Sequence, residues 1–317
     1  MAAQLNRGKI LKDRAFMLAQ AREFFAKRQI LEVDCPILTQ GASIDANIDL
    51  IPARYANLEI RYMHSSPEYG MKRLLAEGIS DIYQLSHVFR DAEFSYKHNP
   101  EFMMAEWYRL AVSYEFMIAE ALDFVRLFLG PLPAYTLSYR EALQEYADLD
   151  YVKASIPDLI EYLQNRGIQP YAHIEKEGKD ALLNLILAMV VEPHLGKDKL
   201  CVLTDYPATQ AALAQTKWQN DEQVAERFEI YYAGLELANG YHELGDAGEQ
   251  RKRLMEANQI RNGLGKNQLP IDEAFLEALK KGFPDACGVA VGFDRLMMLR
   301  HQASTIAEVI PFAWTTA

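Results

Sequence analysis

Phe102, Met104, Glu106 and Tyr108 share one face if the run EFMMAEWY, residues 101–108, is a strand. An aromatic plate, a carboxylate and a phenol make a poor solvent face and a good pocket floor. Arg90 stands where a preceding β-like run, 81–90, enters a polar loop closed by Asn99-Pro100. A guanidinium fork suits a phosphate and an aromatic ring suits a purine, so this stretch has the parts of a nucleotide site. A second group lies in FEIYYAGLELANGYHEL, residues 228–244, which reads as a hairpin about Ala233-Gly234. A two-residue loop puts Tyr231 opposite Glu236, and Glu229 on the face of Tyr231, diagonal to Glu236. Two carboxylates so placed need a cation, and magnesium is the natural one where phosphates are near. The third group is GVAVGFDRLMMLR from Gly288, small residues of a strand running into a helix. Arg295 falls in the first helical turn, where the dipole disfavours a cation unless an anion lies beside the helix start. Each group has a plain alternative: an ordinary hairpin, a solvated acidic face, a salt bridge.

The elements that must hold these groups follow from periodicity. Residues 7–29 predict an amphipathic helix with Leu11, Ala15, Leu18, Ala21 and Phe25 on one face. The next run, ILEVDCPILTQ, is a short strand broken by Pro36, hence an edge strand or a strand end. Helix, strand and proline together suit a self-complementary dimer surface as well as packing within one domain. Residues 38–60 read as loop with an apolar cluster at 48–51, and SPEYGMKRLL as a short helix. Residues 113–129 are a helix stopped by Gly130-Pro131. Residues 138–200 read as a mostly helical insertion with little legible chemistry. In CVLTDYPATQAALAQ a strand meets Tyr206-Pro207 and then small residues, where a close-lying ligand and a plain turn fit equally. Residues 247–263 and 271–281 are charged outer helices.

Half of the 317 residues are hydrophobic and 24% are charged, which supports a substantial core. The formal charge of −11 argues against a large RNA footprint. Cys35, Cys201 and Cys287 are far apart and form no CxxC pair, so they read as reduced thiols rather than a zinc or redox site. No HExxH, GxGxxG or GxxxxGK[ST] pattern occurs. The N-terminus is too charged for a secretory signal, and the longest apolar run, 181–191, is too short to span a bilayer. These features predict a cytoplasmic protein with no membrane segment.

Three segments resemble, in order, motifs 1, 2 and 3 of the class II aminoacyl-tRNA synthetases: the long helix with EVDCP, then FR…HNPEF…EWY, then GVAVGFDRL. SPEYGMKRLL and ELANGYHEL resemble the lysyl branch. EWYR, EPHLGK, PATQAALAQ and NGYHEL resemble its stand-alone paralogues, which modify elongation factor P. The resemblance covers nearly the whole chain. It implies an α+β fold, a mostly antiparallel sheet flanked by helices, as one catalytic domain over 1–317. It also implies a homodimer formed through the N-terminal helix and the Pro36 strand. Motif 1 begins almost at residue 1, so the anticodon-reading domain of lysyl-tRNA synthetases is expected to be missing, and stable tRNA binding with it. The implied reaction uses ATP and Mg2+ to activate lysine or (R)-β-lysine as an aminoacyl-adenylate. The acyl group then passes to a lysine of elongation factor P. A free-standing lysyl enzyme acting on tRNA or another acceptor is the alternative activity. A non-catalytic regulatory relative should have lost Arg90, Phe102, Glu229, Glu236 or Arg295, and all are present.

The same resemblance implies roles. Arg90 and Arg295 are the catalytic pair, on the α-phosphate and the triphosphate tail. Phe102 stacks on adenine with Arg295 over its other side, and His98 and Asn99 reach phosphate or ribose. Asp91, Ala92, Glu93 and Leu237 frame the nucleotide, and Gly292 allows its close approach. Glu229 and Glu236 hold magnesium. Glu68, Glu243 and Tyr108 surround the ε-ammonium, and Glu106 takes the α- or β-ammonium. Ser66, Pro67 and Asn239 line that pocket. Ala290 lies where lysyl-tRNA synthetases have glycine, and its methyl would favour a β-amino acid. Two positions depart from the family pattern. Ala92 replaces the motif 2 glutamate and Glu93 follows it: either the loop bulges and Glu93 fills the role, or the backbone alone meets adenine. Gly70 replaces a larger polar residue, which would widen the entrance.

Overall fold

The computed structural model describes residues 7–41, 43–56, 59–171, 174–219 and 221–317. Helix α1 (Arg7–Lys27) leads into β1 (Leu31–Glu32) and β2 (Leu38–Thr39). The segment expected to be loop holds β3 (Pro52–Tyr55) and β4 (Glu59–Met63), which form a small sheet in the order β2-β4-β3. Its exposed apolar side chains, among them Tyr55 and Ile60, hid the alternation that would have marked it. Helix α2 (Glu68–Ala76), β5 (Ile82–Phe89), β6 (Glu101–Leu110), α3 (Tyr114–Leu129) and β7 (Ala134–Ser138) follow.

The expected insertion is a crossover. Helices α4 (Tyr139–Ala147), α5 (Ile156–Asn165) and α6 (Lys179–Ile186), with a π turn at Leu187–Val191, connect β7 to β8 (Leu200–Pro207). These two strands are parallel neighbours, and parallel pairing requires such a crossover. The helices bury Leu143, Leu159, Leu182 and Ile186 with Tyr139 and Tyr206 in a core of their own. Then come β9 (Thr216–Gln219), β10 (Glu222–Tyr232), β11 (Leu235–His242), α7 (Ala247–Gly263), α8 (Glu273–Gly282), β12 (Ala286–Gly292) and α9 (Phe293–His301).

Among the described residues the main sheet runs β1-β5-β6-β12-β11-β10-β8-β7, with β9 on the outer part of β10. Only the β1–β5 and β7–β8 pairs are parallel. Alternation gives the sheet two different faces. One carries Ala105, Trp107, Val289, Val291, Ala238, Phe228 and Ile230 and packs on α1, α3 and α9. The other carries the chemistry. Register places Gln84, Glu106, Ala290, Asn239 and Glu229 in one row across five strands. Tyr108, Gly288, Tyr241 and Arg227 form the next row. The hairpin turns at Ala233 and Gly234, both with positive φ (52° and 71°), and Tyr231 pairs with Glu236 as the two-residue loop predicts.

The buried stripe of α1 is rotated from the expected one. Ile10, Arg14, Met17, Ala21, Phe24 and Phe25 are inside, and Ala15 is exposed. The reason is Arg14, a charged residue that periodicity assigns to solvent. Its guanidinium meets Asp294 at the start of α9, and the other Asp294 oxygen accepts the Met103 backbone N–H at 2.8 Å. One buried carboxylate thus joins α1, β6 and α9. Replacing Asp294 by alanine leaves Arg14 charged and unpaired inside the core. We expect a loss of about 3–5 kcal/mol in urea unfolding, and a loss below 1 kcal/mol would show that the junction is not structural.

Candidate active site

A cavity of about 920 Å³ opens over the polar face of the sheet. At one end stand the nucleotide candidates. Arg90 directly follows β5, and its backbone N–H donates to Pro100 O at 2.9 Å across the motif 2 loop. Its guanidinium lies 5.2 Å from the centre of the Phe102 ring, and its Nε is buried without a hydrogen-bond partner. Buried donors are rarely left unpaired, so this one points to an acceptor brought by a ligand. Ala92 takes a left-handed conformation, φ 60°, and the turn swings Glu93 to 3.7 Å from Arg90. The loop therefore bulges, and Glu93 lines the cavity beside Arg90.

Asp91 and Ala92 do not line it. The Asp91 carboxylate accepts the Ala92 N–H, and its own N–H donates to Asp49 O, so both residues shape the turn. Asn99 also has an internal task. Its side chain donates to Glu101 O and accepts the Trp314 N–H, which holds the C-terminal segment to the loop. His98 is the group that reaches across. Its Nε2 accepts from Arg295 at 2.9 Å while Nδ1 meets Ser95 Oγ. Burial and the Arg295 charge push His98 down to about 4, so it is a neutral acceptor at physiological pH. Arg295 donates to Glu236 O at 2.6 Å and to its carboxylate at 3.3 Å, and so ties the loop to the hairpin. Leu237 and Gly292 border the same space.

At the other end three buried carboxylates converge. Glu106 accepts from Ser66 Oγ at 2.8 Å and from Tyr108 OH at 2.7 Å. Glu68, on the first turn of α2, and Glu243, just past β11, are bridged by Lys72 Nζ at 2.7 and 2.5 Å. Burial and Glu68 push Glu106 up to about 7, and burial pushes Glu243 up to about 8 against the pull of Lys72. Burial opposes the charge on Lys72, yet Glu243 and Glu68 outweigh it and hold its pKa above the usual lysine value. Ala290 sits between Glu106 and Asn239 in the register. Asn239 donates to Glu229 at 3.3 Å, and its Oδ1 is buried without a partner. Pro67 does not line the cavity; it precedes the first turn of α2 and so places Glu68. Gly70 widens nothing, because Cys35 fills the space: an added Cβ would lie 2.9 Å from Cys35 Cβ.

A model of the class II tRNA synthetases for aspartate, lysine and asparagine (D, K and N) matches residues 3–316. The chain belongs to the class II tRNA synthetases. Among curated relatives it is 43% identical over 308 residues to the elongation factor P–(R)-β-lysine ligase of Klebsiella pneumoniae (strain 342). That match covers 95% of this chain and 94% of the relative. The ligase of the same name from Haemophilus influenzae (strain PittGG) is 43% identical over 313 residues, with 96% and 95% covered. Use of ATP follows from this class II ligase family.

The carboxylates near the hairpin are not arranged as the sequence predicts. Glu229 does not stand bare beside Glu236. It accepts from Tyr206 OH at 2.6 Å and from Tyr231 OH, Arg227 and Asn239, because Arg227 lies two residues back on the same face. Glu236 is partly exposed and pairs with Arg295. Glu192, after the π turn, is pushed up to about 7 by burial and by Glu229 and Glu236. Among the described residues no three acidic, histidine or cysteine side chains form a ready metal shell. The donors fit an oxygen-loving ion only with ligand oxygens added.

Lys72, Arg227 and Glu192 escaped the sequence reading, and Gly288, Tyr206 and Tyr231 were placed there without a site role. Lys72 had a usable signal, a lysine four residues after Glu68 on a helix. Gly288 becomes meaningful only once the register sets it against Tyr108 and Glu243, and Glu192 arrives through the crossover.

The raised carboxylates give a pH signature. Glu106 and Glu243 bind protons more tightly folded than unfolded, so the stability they lend is full below the ordinary glutamate range. It is lost as pH rises through about 7 and about 8. The melting temperature of the ligand-free protein should fall across that window, and fall less in Glu106→Gln. Parallel curves for the two proteins would refute this assignment.

Proposed function

We propose that the chain activates lysine or (R)-β-lysine with ATP and transfers the acyl group to a lysine of elongation factor P. The relatives' names support the acceptor and the amino acid. The observation that carries the reading is the ammonium pocket. Glu68, Glu106 and Glu243 meet one lysine, so two negative charges remain for a ligand. A lysine-type amino acid brings two ammonium groups. Its carboxylate then faces the other end, where Arg90 offers an unpaired Nε.

In the first step a carboxylate oxygen of the amino acid bonds to the α-phosphorus and pyrophosphate leaves. Arg90 neutralises the α-phosphate, Arg295 the departing tail, and Phe102 offers its ring to adenine with Glu93 at the edge. In the second step the acceptor amine attacks the acyl carbon, AMP leaves and the amine loses a proton. Magnesium, when bound, offsets phosphate charge; Glu236 and Glu192 would hold it, with Glu229 locked behind them. Ser66 and Tyr108 orient Glu106, and Asn239 keeps an unpartnered amide oxygen in the pocket wall. Ala290, between Glu106 and Asn239, narrows the floor and favours an amine displaced to the β-position.

Phe16 on α1, Leu31 on β1, Leu38 on β2 and Ile37 just before it are exposed, which supports a homodimer through this face. The −11 charge supports a protein acceptor over stable tRNA binding. No helix among the described residues is long and apolar enough to cross a membrane, and the free thiols fit a reducing cytoplasm.

Pyrophosphate exchange dependent on lysine or (R)-β-lysine tests activation, and labelled amino acid with elongation factor P or tRNA tests transfer. We expect label on the protein; label on tRNA alone would overturn the acceptor assignment. Arg90→Ala should lower exchange by about 10²–10³-fold. Ala290→Gly should shift preference toward lysine, and an unchanged preference would remove Ala290 from the specificity argument. Gly288→Ala drives a methyl into Glu243 Oε1 and the Tyr108 ring. It should raise the amino-acid KM at least about tenfold while the ATP KM holds, and an unchanged amino-acid KM would place the ammonium elsewhere.

A further inference from the structure

Lys72 is fully buried, one turn after Glu68 on α2. Its Nζ lies 2.7 Å from Glu68 and 2.5 Å from Glu243. Both carboxylates line the cavity, and Lys72 does not. The ammonium therefore stands behind them, where a bound ligand does not replace it. The third carboxylate, Glu106, is held by two neutral hydroxyls, Ser66 and Tyr108. With all groups ionised, three negative charges face one permanent positive charge.

We propose that Lys72 is a positioning residue that sets substrate specificity by charge: it cancels one carboxylate and so tunes the pocket to a ligand with two ammonium groups. This rests on the lysine or β-lysine reading above. Without Lys72 the pocket would hold three uncompensated carboxylates, and a diammonium ligand would leave one of them charged and buried or force it to take a proton. Lys72 also holds Glu68 and Glu243 at a common point, which keeps an α2 group and a β11 group at one spacing. No atom of Lys72 needs to touch the ligand for either effect.

The experiment compares wild type, Lys72→Met and the double variant Glu68→Gln/Lys72→Met in pyrophosphate exchange. Each is titrated with lysine, with (R)-β-lysine and with ATP. Lys72→Met should raise the amino-acid KM about tenfold to a hundredfold and leave the ATP KM unchanged. The double variant again leaves two negative charges and should recover most of that loss. An unchanged amino-acid KM in Lys72→Met overturns the proposal. So does a double variant no better than the single one, because Lys72 would then be a scaffold only. If Lys72→Met does not fold, the charge-balanced double variant carries the test, and an amino-acid KM raised by more than a hundredfold with normal ATP KM overturns it. A wild type inactive with both amino acids overturns the substrate reading, and the proposal with it.

Discussion

Glu68, Glu106 and Glu243 share a buried space with a single lysine, and the polar face of the sheet is arranged around that imbalance. Ionised carboxylates resist burial unless something cationic or hydrogen-bonding meets them. The fold meets the demand in part. Lys72 serves two of the three, Ser66 and Tyr108 serve the third, and proton uptake by Glu106 and Glu243 takes up the remainder in the empty protein. A ligand with two ammonium groups completes what the protein leaves undone. On the proposed reading the ligand's ammonium groups replace those protons, and the specificity lies in the charge count before any shape is considered.

Holding that imbalance requires rigid neighbours. The three glutamates come from α2, β6 and the end of β11, so their spacing depends on sheet register and on the seat of one helix. Gly288 on β12 leaves the gap in which Glu243 and Tyr108 approach. Tyr69 stacks on Phe275 with ring centres 4.2 Å apart and seats α2 against α8. On the opposite face Asp294 clamps α1, β6 and α9 together. The same helix start that carries Asp294 inward carries Arg295 outward to the cavity, so one turn serves both the core and the nucleotide end.

How far this was legible varied with the range of the interactions. The Tyr231–Glu236 pairing followed from turn length alone, and the β6 face from alternation; both are local rules. Arg14 was misplaced because its partner lies 280 residues away. Glu229 was read as a bare carboxylate because Arg227 and Glu229 look like separate surface charges until Tyr206 arrives from β8. Asn99 has a suitable amide for ribose, yet the C-terminal segment takes it, and no spacing rule announces that contact. At the Ala92 departure the backbone bulges, and a left-handed alanine places Glu93 beside Arg90. A strict alternation rule cannot express a turn that brings Glu93 back beside Arg90.

The two ends of the cavity also carry opposite needs, and this polarity bears on the chemistry. One end presents Arg90 with an unpaired Nε; the other presents three carboxylates that share one lysine. An amino acid with two ammonium groups therefore has one electrostatically sensible orientation, carboxylate toward Arg90 and amines toward Glu68, Glu106 and Glu243. That orientation brings the nucleophilic oxygen to the α-phosphate end without a dedicated carboxylate clamp. Orientation of this kind is a large share of what an adenylating enzyme must supply, since the reaction itself needs two anions brought together in line. Ala290 and Asn239 lie between Glu106 and Glu229 in the register row. On the proposed reading a change there moves an ammonium relative to the acyl carbon, and the choice between α- and β-amino acids rests on one small side chain.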